Sequence, residues 1–264
     1  MKNSVVVITG GSSGIGKAAA AVFAEKGHKV YELSRRDVKH ANSLITHISC
    51  DVTDESQVRD VIAKIVGESR KIDILVSNAG FGISGPIEFT QTSDAKRQFD
   101  VNVFGTLNII KAVLPCMRSQ HSGKIIVTSS VAAVLSIPYQ SFYSASKAAL
   151  NALVLALRNE VADFGISATA LMPGDVSTGF TDARDKEEAG ADIYNHSASA
   201  IAAMEKDERS GMTAEYLGKQ LYKIACKQNL APLYTAGWQY KIFVLLEKIL
   251  PKRLSNWIVG QLYK

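Results

Sequence analysis

Three cysteines are all this sequence offers for covalent stapling, and Cys50, Cys116 and Cys226 are odd in number and far apart. No C-x-x-C occurs, so free thiols in a reducing cytosol are the expected state. The five histidines show no metal-ligand spacing, and no metal is expected. Proline is sparse, with 6 residues in 264, which argues against long disordered linkers. Long hydrophobic runs are missing as well. The first apolar stretch, Val5 to Ile8, is too short for a membrane span or a secretory leader. A cytoplasmic location is therefore expected, at most peripheral to a membrane. Charge of one sign is not spread along the chain either. The net charge is +5, but residues 237–264 hold five cations against the single acid Glu247, nearly all of the excess. A nucleic-acid partner is not implied by such a distribution.

What is present is an ordinary globular composition, 47% hydrophobic and 21% charged. A chain of this length suits one large α/β domain and can bury a sizeable core. Short β-branched runs alternate with longer helical patterns. The runs Val5–Thr9, Lys29–Ser34, Leu44–Cys50, Ile72–Ser77, Lys124–Thr128, Ser167–Leu171 and Pro232–Thr235 are mostly continuous in apolar residues, as in parallel strands covered on both faces. Helical patterns occupy Ile15–Glu25, Glu55–Glu68, Phe99–Met117, Tyr143–Asp163 and Ala214–Lys227. The repeated β-α-β order predicts one doubly wound parallel sheet of about seven strands, a Rossmann fold over 1–264 with helices on both faces. Residues 182–211 lack a strand pattern and read as a partly helical, substrate-binding excursion over the active site. Residues 237–264 read as amphipathic C-terminal helices.

The first strand runs straight into Thr9-Gly10-Gly11-Ser12-Ser13-Gly14-Ile15-Gly16, and a helical pattern follows at once. Glycines let a backbone turn tightly and approach a pyrophosphate, and the helix N-terminus offers amides and partial positive charge. The spacing is G-x-x-x-G-x-G rather than the common G-x-G-x-x-G, and a glycine loop alone can be a simple turn. With Thr9, Gly10, Gly14, Ile15 and Gly16 all in place, the chain resembles the short-chain dehydrogenase/reductase family, whose loop reads T-G-x-x-x-G-[IL]-G. The resemblance is tight over about Val5 to Thr178 and loose beyond.

The resemblance implies a nicotinamide cofactor held by the loop through Ser12 and Ser13 as well as the glycines. The family's acidic position at the end of the second strand falls on Ser34, followed by Arg35 and Arg36. An acid there holds the adenine ribose hydroxyls and repels a 2′-phosphate, whereas a guanidinium pairs with that phosphate. NADP(H) is therefore expected. Solvated loop arginines are the plain alternative, and Glu32 is an acid two residues early. Asp51 and Val52 fall where the family borders the adenine ring, and Asn78-Ala79-Gly80 where it borders the cofactor, although Ser77 stands where the family usually has Asn. Pro173-Gly174-Asp175-Val176-Ser177-Thr178 resembles P-G-x-[VI]-x-T, in which the Val176 backbone and Thr178 hydroxyl hold the carboxamide; otherwise it is a proline turn.

Tyr143-Ser144-Ala145-Ser146-Lys147 places a phenol and an ammonium at i and i+4 on one helix face. Hydride transfer to a carbonyl leaves an alkoxide, which needs a proton and charge stabilisation. A nearby ammonium is expected to lower the tyrosine pKa. Y-x-x-x-K alone is a weak motif, although no other tyrosine here has a lysine four residues on. The family resemblance selects Ser130, thirteen residues before Tyr143, to bond the substrate oxygen, leaving Ser129 a structural bond. It also selects Asn102, which would hold a relay water beneath the lysine. The implied reaction interconverts a carbonyl and a secondary alcohol, and a sensor that binds NADPH without turnover is the competing reading.

Phe81–Ile83, Val131, Leu135 and Ile137–Tyr139 are expected around the reacting centre, which favours a small hydrophobic substrate over a sugar. The chain is also loosely similar to steroid- and retinoid-type members of the family, which implies a carbonyl of that class, with a membrane-surface lipid or 3-oxoacyl substrate as the alternative. In the tail, Trp238, Ile242, Leu245, Leu246 and Ile249 form one helical stripe, and Leu254, Trp257, Ile258 and Leu262 another. Packing over the pocket or against a second subunit, and contact with an anionic membrane surface, are both open. A homodimer or homotetramer is expected, since many relatives pair subunits through the helices that carry Asn102 and Tyr143.

Overall fold

The computed structural model describes residues 3–187 and 189–263; Glu188, within the excursion, and Lys264, at the end of the tail, lie outside the described residues. Seven strands form one parallel sheet: β1 (Val5–Thr9), β2 (Lys29–Ser34), β3 (Ile45–Ser49), β4 (Ile74–Ser77), β5 (Gly123–Thr128), β6 (Ile166–Met172) and β7 (Leu233–Thr235). Their order is β7-β6-β5-β4-β1-β2-β3. Each expected strand is found, within two residues at either end.

The continuous apolar runs have the expected cause. In β1, Val5 and Val7 point to one face and Val6 and Ile8 to the other, as the two-residue period requires, and all four are buried. The first face is covered by α2 (Glu55–Ser69), α4 (Gly105–Ser119) and α5 (Ser141–Glu160), through Ile62, Ile109, Met117, Leu150 and Val154. The second is covered by α1 (Gly14–Glu25) and α7 (Ala214–Cys226), through Phe23, Leu217 and Leu221. At Gly218 an added Cβ would lie 2.8 Å from the backbone of Ala18, so the absence of a side chain sets how closely α7 approaches α1.

The sheet order fixes where a ligand can lie. The chain winds outward from β1 to β3, then crosses back to β4 on the other side of β1. At that reversal the loops after β1 and β4 leave the sheet in opposite directions and open a crevice at the strands' carboxyl ends.

Two stretches differ from the sequence expectation. The helix expected at Phe99–Met117 begins earlier, as α3 (Thr92–Phe99), and passes through a π-helical turn at Asp100–Phe104 before α4. The excursion, which shows no strand pattern, contains α6 (Ser197–Arg209) and supplies one strand of a short parallel pairing, and a second such pairing brackets it. Ile83–Ser84 pairs with Asp185–Lys186, and Val176–Ser177 with Met212–Thr213 just beyond the excursion. Two-residue strands leave no alternation to read. The tail folds as α8 (Trp238–Ile249) and α9 (Lys252–Leu262), and α8 is held by Tyr240 and Val244 against Val131 and Met172.

Candidate active site

A cleft of about 640 Å³ lies at the crevice. Its floor is the glycine loop. Gly10 and Gly14 adopt φ of +69° and +52°, a region L side chains rarely occupy. A Cβ on Gly10 would stand 2.8 Å from Ala79 Cα, and one on Gly16 only 2.4 Å from the Gly10 carbonyl oxygen. Gly16 is outside the cleft lining and acts through packing. Thr9 ties this loop to the end of β4: its hydroxyl accepts from the Asn78 and Ala79 amides at 2.9 and 3.1 Å, and Asn78 Nδ2 donates to the Thr9 carbonyl. Thr178 packs against Gly14 from the loop after β6.

At one end of the cleft, the expected ribose end, Ser34 is buried and donates to the Arg36 carbonyl. Arg36 reaches back across the glycine loop and donates to Ser12 Oγ at 3.2 Å and Ser13 Oγ at 2.9 Å. Arg35 turns the other way, 4.0 Å from Asp51, and is largely exposed. The two guanidiniums expected from the sequence, Arg35 and Arg36, thus flank this end from opposite sides. Glu32 is withdrawn from it. Fully buried beneath Gly11, it is bonded by His47 Nδ1 at 2.6 Å with His40 Nε2 at 3.6 Å. Asp51, Val52, Asn78, Ala79, Gly80, Pro173, Gly174 and Val176 line the cleft between.

At the other end, α5 brings Tyr143 and Lys147 beside Ser130, which follows β5. The Lys147 ammonium is buried, 5.6 Å from the Tyr143 ring centroid, and donates to the Thr128 carbonyl at 2.9 Å. Burial pulls its pKa down from 10.5 to about 8. Tyr143 goes the other way from expectation. Burial pushes its hydroxyl up to about 12, a bond to Ser130 pulls it back in part, and Glu208 adds a push upward. Desolvation sets the direction here, and the Lys147 ammonium is committed to a hydrogen bond with the Thr128 carbonyl. The phenol is therefore protonated at neutral pH, the state needed to give a proton to an oxygen. Ser130 Oγ also accepts from the Ala132 amide at 3.1 Å, while Ser129 donates to the Lys147 carbonyl.

Asn102 sits in the π turn, completely buried behind the cleft wall. Its Oδ1 accepts from the Phe81 amide at 3.0 Å, and its Nδ2 donates to the Phe81 carbonyl and to Ser146 Oγ, both at 3.1 Å. A Cβ on Gly80 would meet Asn102 Oδ1 at 2.9 Å and Lys147 Nζ at 3.7 Å, so a bare glycine separates the two. Among the residues expected around the reacting centre, Phe81, Val131 and Ile137 line the cleft; Gly82, Ile83, Leu135, Pro138 and Tyr139 do not. Ile83 is instead held in its short strand pairing, and Tyr139 lies in a turn at φ +58°. Sequence reasoning missed the residues that the excursion and the turn leading into it deliver. Phe180 stands 5.7 Å from the Tyr143 ring, and Glu208 on α6 is bonded by Thr181 at 2.7 Å and paired with the buried Arg184. Arg97 joins Asp185 across the same wall at 2.5 Å. No local pattern marks these long-range contacts.

A family model described as short chain dehydrogenase matches residues 4–189. The chain belongs to the short-chain dehydrogenase family. It is an oxidoreductase acting between carbonyl and alcohol, with a nicotinamide cofactor and a small-molecule substrate. The 3-ketodihydrosphingosine reductase of Bacteroides thetaiotaomicron is 39% identical over 232 residues, 87% of this chain and 86% of that protein. A solved short-chain dehydrogenase from Streptomyces avermitilis aligns with a TM-score of 0.84 at 28% identity, covering 99% of this chain and 98% of the other. ElxO, solved with NADP bound, aligns at 0.77 and 28% identity, covering 92% and 100%. A Burkholderia phymatum member in complex with NAD has the same fold at 24% identity, TM-score 0.82, covering 93% and 92%. Family members therefore carry either dinucleotide, and the cradle formed by Gly10, Gly14 and Ala79 fits such a group.

Proposed function

We propose that this protein is an NADP(H)-dependent reductase of a ketone on a long apolar lipid. The observation that carries the cofactor assignment is the pair of guanidiniums at the ribose end, with neutral Ser34 ending β2 just before Arg35 and with Glu32 tied to His47. A 2′-phosphate meets positive charge there and no free carboxylate. The cofactor, when bound, supplies the hydride. Ser130 would bond the carbonyl oxygen, and Tyr143 would pass it a proton as the alkoxide forms. Lys147 would stabilise the phenolate left behind, and Asn102 would hold Phe81 and Ser146 in place around the pair.

The substrate class rests on Phe81, Val131, Ile137 and Phe180 at the reacting end and on the name of the Bacteroides relative. The ketone of 3-ketodihydrosphingosine is the first compound to test, by loss of NADPH absorbance, beside a steroid ketone, a retinal and a 3-oxoacyl thioester. NADPH should be preferred to NADH in kcat/KM, and Ser34→Asp should reverse the order. Equal use of both dinucleotides by the wild type would refute the cofactor assignment. The exposed apolar side chains Phe104, Leu153 and Leu155 on the helices that carry Asn102 and Tyr143 suit a homodimer, which sedimentation would show. Three free thiols fit a reducing cytoplasm.

A further inference from the structure

We propose that α8 and α9 dock this protein on the surface of an anionic lipid bilayer. A surface helix ordinarily turns its apolar stripe inward. Here the stripe of α8 faces out. Tyr240 and Val244 are its buried residues, while Trp238, Ile242, Leu245, Leu246 and Ile249 all stand in solvent. In α9 the buried residue is Ser255, and Leu254, Trp257, Ile258 and Leu262 are exposed. Trp238 is 75% exposed, Ile249 68% and Trp257 60%, values that exclude a role in this chain's own core. Isolated exposed apolar residues are normal; a contiguous patch this size marks an interaction surface.

Charge decides the occupant. Glu247 pairs with Lys252, which leaves Lys241, Lys248 and Arg253 without an acidic partner among the described residues. In a two-fold contact the same patch would meet itself, so these cations would face cations with no acid to offset them. Anionic headgroups neutralise them. The tryptophans also suit the interface, where an apolar ring with a polar edge is favoured. With 12 and 11 residues, separated by Pro251, the two helices are too short to cross a bilayer and would lie in its plane. The run Thr92–Ser119, apolar enough by length and composition for a span, is instead committed to the fold, where it carries Asn102 to the active site.

The inner side of α8 is tied to the cleft wall. Tyr240, on the inner side of α8, donates to Asp175 Oδ2 at 2.5 Å and packs on Gly174, and both residues line the cleft. Docking through the outer side would hold the cleft wall beside the lipid. The surface itself is independent of which dinucleotide or ketone the enzyme uses.

Both tryptophans of the chain lie in this pair, so selectively excited tryptophan fluorescence reports on it alone. The full-length protein should co-sediment with unilamellar vesicles of equal parts phosphatidylglycerol and phosphatidylcholine, and its emission should shift to the blue. Pure phosphatidylcholine should bind it far less. Each basic residue near an anionic surface contributes roughly fivefold to partitioning, so the triple change of Lys241, Lys248 and Arg253 to Gln should weaken binding on the order of 100-fold. Ile249→Glu, in an exposed position, should abolish co-sedimentation while NADPH binding and the circular dichroism spectrum stay unchanged. Wild-type protein that remains in the supernatant with anionic vesicles overturns docking. So does a stable dimer whose tryptophans already emit in the blue without lipid and that Ile249→Glu dissociates, because a second copy then covers the stripe. Wild-type protein that docks yet shows no preference for NADPH would overturn the cofactor assignment alone.

Discussion

Replacing Lys147 by Met should make the enzyme inactive and more stable. Lys147 is 5% exposed, and burial lowers its pKa from 10.5 to about 8. At about 1.36 kcal/mol per pH unit, that drop corresponds to a cost of about 3 kcal/mol for keeping the charge in the folded protein near neutral pH. Methionine is close to lysine in size and carries no charge. The substitution also removes the bond to the Thr128 carbonyl, worth about 1 kcal/mol. The net gain is about 2 kcal/mol, or roughly 5 °C in Tm for a domain of this size. The sign with pH follows from the lowered value. Below about pH 8 the folded protein bears the full cost. Between about 8 and 10.5 the folded lysine has lost its proton while the unfolded one keeps it, so wild-type stability should rise with pH relative to Lys147→Met until the gap closes. Thermal or urea unfolding of both proteins without cofactor, near pH 7 and near pH 10, gives the comparison. A variant less stable than wild type at neutral pH, or a difference independent of pH, would refute the burial argument.

Tyr143→Phe should lower turnover by about 1,000-fold, the usual worth of a positioned proton donor, with NADPH binding retained; unchanged turnover would remove the tyrosine from the mechanism. The kcat/KM for ketone reduction should fall as pH rises through about 8, where Lys147 loses its charge, while Tyr143, near 12, stays protonated. A flat profile to pH 10 in the same steady-state assay would contradict that order of pKa values. Gly16→Ala puts a Cβ 2.4 Å from the Gly10 carbonyl oxygen, and the loop must move. Unfolding should show a loss of about 1–3 kcal/mol, and NADPH fluorescence titration a weaker complex.

The strands were legible because a parallel sheet covered on both faces favours continuous apolar runs, and Val5–Ile8 carries that demand in plain sequence. The glycine loop and the Tyr143–Lys147 pair could be read locally, from a strand running into a helix and from one helix face, whereas Ser130 and Asn102 were picked out by the family resemblance. The orientation of Arg36, the burial of Glu32 and the place of Glu208 were not legible. Which way an arginine turns after β2 depends on the hydroxyls of Ser12 and Ser13, more than twenty residues away. That Glu32 is buried depends on His47, a neighbour only once β3 pairs with β2. The tail's stripes were visible in sequence, but periodicity carries no sign. It shows that Trp238 and Ile242 share a face and is silent on whether that face turns in or out.

Tyr240 gives the tail a second consequence. Its ring lies where a Cβ on Gly174 would stand, 2.3 Å from three ring atoms, and its hydroxyl holds Asp175. The loop after β6 and the last helices therefore behave as one mechanical piece, with the aromatic ring as the wedge between them. A protease that nicks the Gly237 turn would loosen that wedge before it disturbed the sheet. Clipped protein should leak cofactor on dilution while its melting curve barely moves, which makes cofactor retention the earlier sign of damage.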